Sequence, residues 1–143
     1  MERYAVDASF LISAIRSCDV NHQHCFQFYR EHESVIWIIP TIAYFEYQAA
    51  QSRLEREGKK AYRQIYITNF EVYEINYDFI KQVVTKDLPN LFVQLKGADL
   101  IYACVAKVEE IPLVTCDGHF EQYSAEIQVI NPTKYWHFSY GRR

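Results

Sequence analysis

Glycine and proline are scarce, with four of each in 143 residues. That excludes a linker-rich, collagen-like or low-complexity chain. Long apolar runs are missing too: each apolar stretch is short and broken by charge, so no segment reads as a membrane span. The four cysteines, Cys18, Cys25, Cys104 and Cys116, contain no CxxC pair. A disulfide-stapled scaffold is therefore not indicated, and buried, reduced thiols are expected. Cys18, His22, His24 and Cys25 crowd together but match no common zinc-finger spacing, and they read as a loop entering a helix. Met1-Glu2-Arg3 runs straight into an apolar stretch, leaving no room for a signal peptide, so a cytoplasmic location is expected. A basic surplus is also absent. The net charge of −3 is, on average, a poor match for a nucleic-acid partner.

What is present is ample apolar material: half of the residues are hydrophobic and twelve are tyrosine. A chain of this length fits one domain, over residues 1–143, with a sizeable core. Arg3-Tyr4-Ala5-Val6 reads as a buried strand that ends at Asp7, with a helix over about Ser9 to Ser17 and Ser9 as its N-cap. A second helix is expected over His22 to Glu33. Val35-Ile36-Trp37-Ile38-Ile39, closed by Pro40, reads as a strand buried on both faces. Thr41 can cap the next helix, whose apolar positions Ile42, Phe45, Ala49 and Leu54 put Glu46 near the inward face. Gly58 breaks it, and another helix is expected over Lys59 to Thr68. A strand over Glu71 to Ile75, a helix over Tyr77 to Lys86 and a turn at Pro89-Asn90 follow. A core helix then runs from Gly97 to near Glu110, with strands at Leu113–Thr115 and Ile127–Ile130. Alternating strands and helices imply an α/β fold with a mainly parallel central sheet covered on both faces.

Two acids have equivalent placements in such a sheet. Asp7 follows the first strand and Asp117 follows the Val114-Thr115 strand, so both fall on the carboxyl edge, where ligands bind in open α/β sheets. Asp99 opens a helix just after Gly97, and Glu46 lies in the first turns of the helix after the second strand. No basic residue sits beside any of the four in sequence. Crowded carboxylates repel one another and raise each other's pKa unless a cation sits among them. Hard oxygen ligands of this kind suit Mg²⁺ or Mn²⁺. Such a cation polarises a phosphate, lowers the pKa of an attacking water and stabilises the leaving oxygen.

The motifs Val6-Asp7-Ala8-Ser9, Glu46 after strand and Pro40, Gly97-Ala98-Asp99-Leu100-Ile101-Tyr102-Ala103 and Thr115-Cys116-Asp117-Gly118-His119-Phe120 together resemble the PIN-domain ribonucleases. In size and motif order the chain is most similar to the VapC-type toxins of toxin–antitoxin pairs. That resemblance implies a single three-layer αβα domain. It implies Mg²⁺- or Mn²⁺-dependent endonucleolytic cleavage of RNA, with Asp7, Glu46, Asp99 and Asp117 as catalytic and metal-binding acids. Ser9 and Thr115 match hydroxyl positions that support the acids. It also implies a homodimer restrained by a cognate antitoxin. Gly118 and His119 stand where family members commonly carry a further acid or Asn, which leaves one or two metal ions open; His119 is a candidate for touching phosphate.

The charge reads differently with the acids set aside: the remainder is +1. Arg53, Arg56, Lys59, Lys60 and Arg63 against Glu55 and Glu57 form a stretch of net +3, with Tyr62 and Tyr66 nearby. Lys134, Arg142 and Arg143 lie among Tyr135, Trp136, Phe138 and Tyr140. Basic and aromatic residues in alternation can follow a single-stranded backbone and stack its bases. Arg53, Lys59, Lys60 and Arg63 are thus candidate RNA contacts. A receiver-like domain fits poorly, because Asp7 has no acidic neighbour and no Lys follows the last strand. A non-catalytic PIN-like scaffold that binds RNA or protein, and a DNA-directed nuclease with the same metal chemistry, remain as alternatives.

Overall fold

The computed structural model describes residues 2–58, 69–86 and 93–134. Strand β1 (Arg3–Val6) leads into helices α1 (Ala8–Ile15) and α2 (His22–Glu31), strand β2 (Ile36–Pro40) and the long helix α3 (Thr41–Arg56). Next come β3 (Phe70–Tyr73), α4 (Tyr77–Thr85), α5 (Gly97–Glu109), β4 (Leu113–Val114), a 3-10 helix over Gly118–Tyr123, and β5 (Val129–Ile130). The expected helix from Lys59 to Thr68, the Pro89-Asn90 turn and the aromatic tail from Tyr135 onward lie outside the described residues.

All strand pairings are parallel, and the five strands run in the order β3-β2-β1-β4-β5. The result is the expected three-layer α/β arrangement. From β1 the chain adds β2 and β3 on one side, then crosses back to place β4 and β5 on the other. Right-handed crossovers put the connecting helices of the two halves on opposite faces. The direction of winding reverses between β1 and β4, and in open α/β sheets the carboxyl edge at such a reversal is where ligands bind. Register makes this specific: Val6 pairs with Val114, so Asp7 and Thr115 leave the sheet side by side.

The core explains why β1 and β2 sit centrally. Ala5, Val6, Trp37, Ile38 and Ile39 are all almost fully buried. Trp37 stacks on Phe10 of α1 with ring centroids 5.5 Å apart, and Phe28 of α2 meets it edge-on. Helix α5 buries five successive residues, Tyr102 to Ala106, as its nearly all-round apolar character predicts, and it packs on β1 and β4.

Three local expectations need correction. Ser9 is not the N-cap of α1; Asp7 is, with an extended backbone and a side chain that accepts the Phe10 N–H, so strand and helix join without a loop. Thr41 does not cap α3. It is the first helical residue, and its Oγ1 accepts the Ile75 N–H at 3.2 Å, serving the backbone just after β3. The inward stripe of α3 is Ala43, Tyr47, Ala50 and Leu54, not the one centred on Phe45, which is 76 % exposed. β2 passes into α3 directly at Pro40, so the sheet sets the helix phase, and Glu46 rotates to the exposed side.

Gly97 opens α5 with φ +59°, and an added Cβ there would meet nothing within 4 Å. The whole penalty of a side chain is then backbone conformation. Gly97→Ala should lower stability by about 1–2 kcal/mol, read as a shift of the urea midpoint. Gly118 has no left-handed φ and equally open surroundings, so Gly118→Ala should stay within about 0.5 kcal/mol of the parent.

Candidate functional site

The site is built on Asp7, a carboxylate only 3 % exposed. Its Oδ1 accepts the Phe10 N–H at 3.0 Å and the Ser9 hydroxyl at 2.7 Å. Its Oδ2 accepts the Thr115 hydroxyl. One amide and two hydroxyls therefore hold both oxygens from α1 and from the end of β4. Thr115 Oγ1 also accepts the Asp117 N–H at 3.0 Å, and Ser9 Oγ accepts the Cys116 N–H at 3.4 Å. Segment 115–117 is thus laced to the start of α1 by side chains 107 and 108 residues apart in sequence.

Asp117 caps the 3-10 helix, its Oδ1 accepting the His119 N–H at 2.9 Å. Asp99 lies in the first turn of α5, half-buried. Glu46 is exposed on α3. None of the four forms an ion pair with a described basic residue. Their charges nevertheless act on common points. Burial pushes the Asp7 carboxyl up to about 6, against hydrogen bonds from Thr115, Phe10 and Ser9 that lower it, and the Asp117 charge adds to the rise. Asp99 is raised by burial and then by Asp117, with His119 opposing. The Tyr102 hydroxyl is pushed well up by burial and by the charges of Glu46, Asp7 and Asp99. Glu46, Asp7 and Asp99 thus act together on Tyr102, and Asp117 acts on Asp7 and Asp99.

They do not form a tight ligand cage. Among the described residues no group of three or more His, Cys, Asp or Glu is arranged to hold a metal ion. Tyr102 is the residue that sequence reading passed over, although its position three after Asp99, one helical turn on, is the signal that puts both on one face of α5.

Of the candidate RNA contacts, Arg53 is exposed on α3 two turns beyond Glu46 and on the same side, beside a cavity of about 90 Å³ lined also by Ile12, Arg16 and Glu57. Lys59, Lys60 and Arg63 lie outside the described residues. His119 is exposed, with its Nδ1 2.9 Å from Gln122 Nε2. The cluster at Cys18, His22, His24 and Cys25 disperses: Cys18 is exposed, His22 Nδ1 lies 2.9 Å from the Ser13 carbonyl, and Cys25 faces Cys116. A cleft of about 210 Å³ between the end of α5 and residues 126–128 lies at the opposite edge of the sheet from the acids.

A model of the PIN domain family matches residues 4–126, from β1 past the 3-10 helix. The chain belongs to the PIN domain family. Solved structures with this PIN fold include the Mycobacterium tuberculosis toxin VapC20, described as cleaving the sarcin-ricin loop. It is 18 % identical, with 90 % of this chain and 99 % of that chain covered and a TM-score of 0.60. A Klebsiella pneumoniae toxin–antitoxin complex aligns over 90 % of this chain and 97 % of its own, at 17 % identity and TM-score 0.59. VapBC2 of Rickettsia felis, bound to a DNA fragment from its promoter, aligns over 90 % and 98 % at 15 % identity and TM-score 0.57. At these identities the likeness is one of fold. Comparison with curated proteins gives no match. Among the described residues, no helix of the PIN domain is long and apolar enough to cross a membrane.

The buried Asp7 carboxyl makes the metal-free PIN domain pH-sensitive. Its folded pKa of about 6 stands above the ordinary 3.8, so between those values the folded state holds a proton that the unfolded chain releases. The stabilisation that this carboxyl contributes is therefore fully present at the acid end and is lost as pH rises through that window, a change on the order of 3 kcal/mol. Urea unfolding in EDTA from pH 4 to 7 should show the fall, and Asp7→Asn should flatten it. An equal slope in both proteins would refute the assignment.

Proposed function

We propose that this PIN domain is a divalent-metal-dependent endoribonuclease and the toxin component of a toxin–antitoxin pair. The observation that carries the reading is the gathering of acids, none ion-paired with a described basic residue, around the buried Asp7. A phosphodiester brought to four carboxylates without a cation would be repelled. The donor set is oxygen-only, is ion-paired with no described basic residue, and combines one buried carboxylate with more open ones. Those features fit Mg²⁺ or Mn²⁺, which keep several waters and take few protein oxygens. Asp7, Glu46, Asp99 and Asp117 would hold the ion, directly or through water. When bound, such an ion neutralises phosphate charge and makes water a better nucleophile.

The remaining roles belong to the chain's own residues. Thr115 and Ser9 fix the plane of the Asp7 carboxylate through their hydroxyls. Asp99 and Asp117, more open to solvent, can orient an attacking water or accept its proton. Arg53, on the Glu46 side of α3, would neutralise an RNA phosphate, and His119 would stand at the other margin beside Asp99. Lys59, Lys60 and Arg63 extend the basic stretch in sequence. The sarcin-ricin-loop cleavage described for the M. tuberculosis toxin supports an RNA substrate, and the antitoxin-bound relatives support a protein partner. A homodimer confined to the cytoplasm, with residues 1–143 acting as one domain, completes the reading.

A scaffold without catalysis is the second reading, favoured by the spread of the acids and the exposure of Glu46. Incubation with a mixed pool of structured and single-stranded RNAs, in Mg²⁺, Mn²⁺ or EDTA and freed of any copurifying partner, separates the two. Nuclease action requires cleavage with metal and none in EDTA, and a loss of roughly 10²-fold or more in Asp7→Asn and Asp99→Asn. Arg53→Ala should weaken RNA binding with a salt slope shallower by about 0.7. An inert parent that binds RNA equally well in all variants would establish the scaffold, and cleavage confined to DNA would replace the substrate.

A further inference from the structure

Cys25 and Cys116 are 91 positions apart in sequence, yet their sulfurs lie 2.9 Å from one another as free thiols. That separation is inside the ordinary van der Waals contact of two sulfur atoms. A covalent bond of 2.03–2.05 Å needs a closing movement of less than about 1 Å. Their exposures differ in a useful way. Cys25, on α2, is fully buried, whereas Cys116, just beyond β4, is partly open to solvent. Cys116 is also the middle residue of the segment that serves Asp7. Thr115 on one side donates to Asp7, Asp117 follows on the other, and the Cys116 N–H reaches Ser9.

We propose that Cys25 and Cys116 form a redox modification site, in which a disulfide fastens segment 115–117 to helix α2. The oxidant class is a hydroperoxide. The partly open Cys116 sulfur attacks the O–O bond; with hydrogen peroxide, the thiol proton leaves with the departing hydroxide as water and a sulfenic acid remains. The Cys25 sulfur then attacks the sulfenic sulfur, the S–O bond breaks, and the Cys25 proton leaves with that hydroxide as a second water. Two thiols lose two electrons and two protons, and the peroxide is reduced to two waters. A dithiol reductant reverses the bond by exchange. Reduced thiols remain the resting state, in keeping with transient, redox-sensing disulfides in reducing compartments. The crosslink closes a long loop, so its effect on the unfolded chain is large. The site does not depend on whether the acids cut RNA.

The test uses the full chain, reduced, then treated with stoichiometric hydrogen peroxide, unfolded, alkylated and mapped by mass spectrometry. Expected are an intact mass lower by two hydrogens, one crosslinked peptide holding Cys25 and Cys116, and alkylation of Cys18 and Cys104. Dithiothreitol should restore all four thiols. The oxidised chain should melt about 5 °C or more above the reduced one. Because Cys25 is buried and its substitution can perturb folding, Cys116→Ala is the companion variant, and it should abolish both the mass loss and the rise in melting temperature. Alkylation of Cys25 after peroxide treatment, pairing of Cys116 with Cys18, or advance of Cys116 to a sulfinic acid would each overturn the proposal.

Discussion

The arrangement depends on a buried negative charge at the junction of β1 and α1. Asp7 ends a strand and begins a helix in one residue, and its carboxylate is removed from solvent. Burial of an unpaired carboxylate is expensive unless donors meet it. Here the donors are the Phe10 amide, the Ser9 hydroxyl and the Thr115 hydroxyl. They offset part of the desolvation and leave the rest as a carboxyl pKa near 6. The helix N-terminus adds a favourable dipole at the same place. A structural cap and a candidate metal ligand are the same atoms.

Thr115 reaches Asp7 because β4 lies beside β1, and that adjacency comes from the return crossover after β3. The same crossover delivers α5, with Asp99 and Tyr102, onto β1 and β4. Sheet order therefore gathers groups from the beginning, the middle and the end of the chain at one edge. The electrostatic consequence follows from geometry: the Asp117 charge raises both Asp7 and Asp99, His119 opposes it at Asp99, and none of the acids is ion-paired with a described basic residue. A site that stores repulsion in this way is selective for whatever brings positive charge to it.

The same lacing accounts for the thiol pair. Segment 115–117 is held toward α1 by the Ser9 and Asp7 contacts, and α2 packs on α1. Cys116 is thereby delivered to Cys25 with no further constraint. The aromatic group around Trp37, contributed by β1, β2, α1 and α2, packs the same two helices onto the sheet.

Local signals in the sequence were enough for the alternation of strands and helices, the parallel sheet, the Gly58 helix end, the core character of α5 and the edge on which Asp7, Asp99 and Asp117 fall. Each of these rests on short-range patterns: β-branched runs, helical spacing, and glycines where the backbone must turn. Tertiary structure alone decided the rest. The phase of α3 was set by its direct junction with β2, which turned Phe45 and Glu46 outward against the apolar spacing. Capping passed from Ser9 to Asp7 because strand and helix meet without a loop. Thr41 was diverted from capping to the Ile75 amide across 34 residues. The closeness of Cys25 to Cys116, and of Tyr102 to three acids, depends on which strands are neighbours. No periodicity in a chain encodes that, because sheet order is a balance of burial over the whole core.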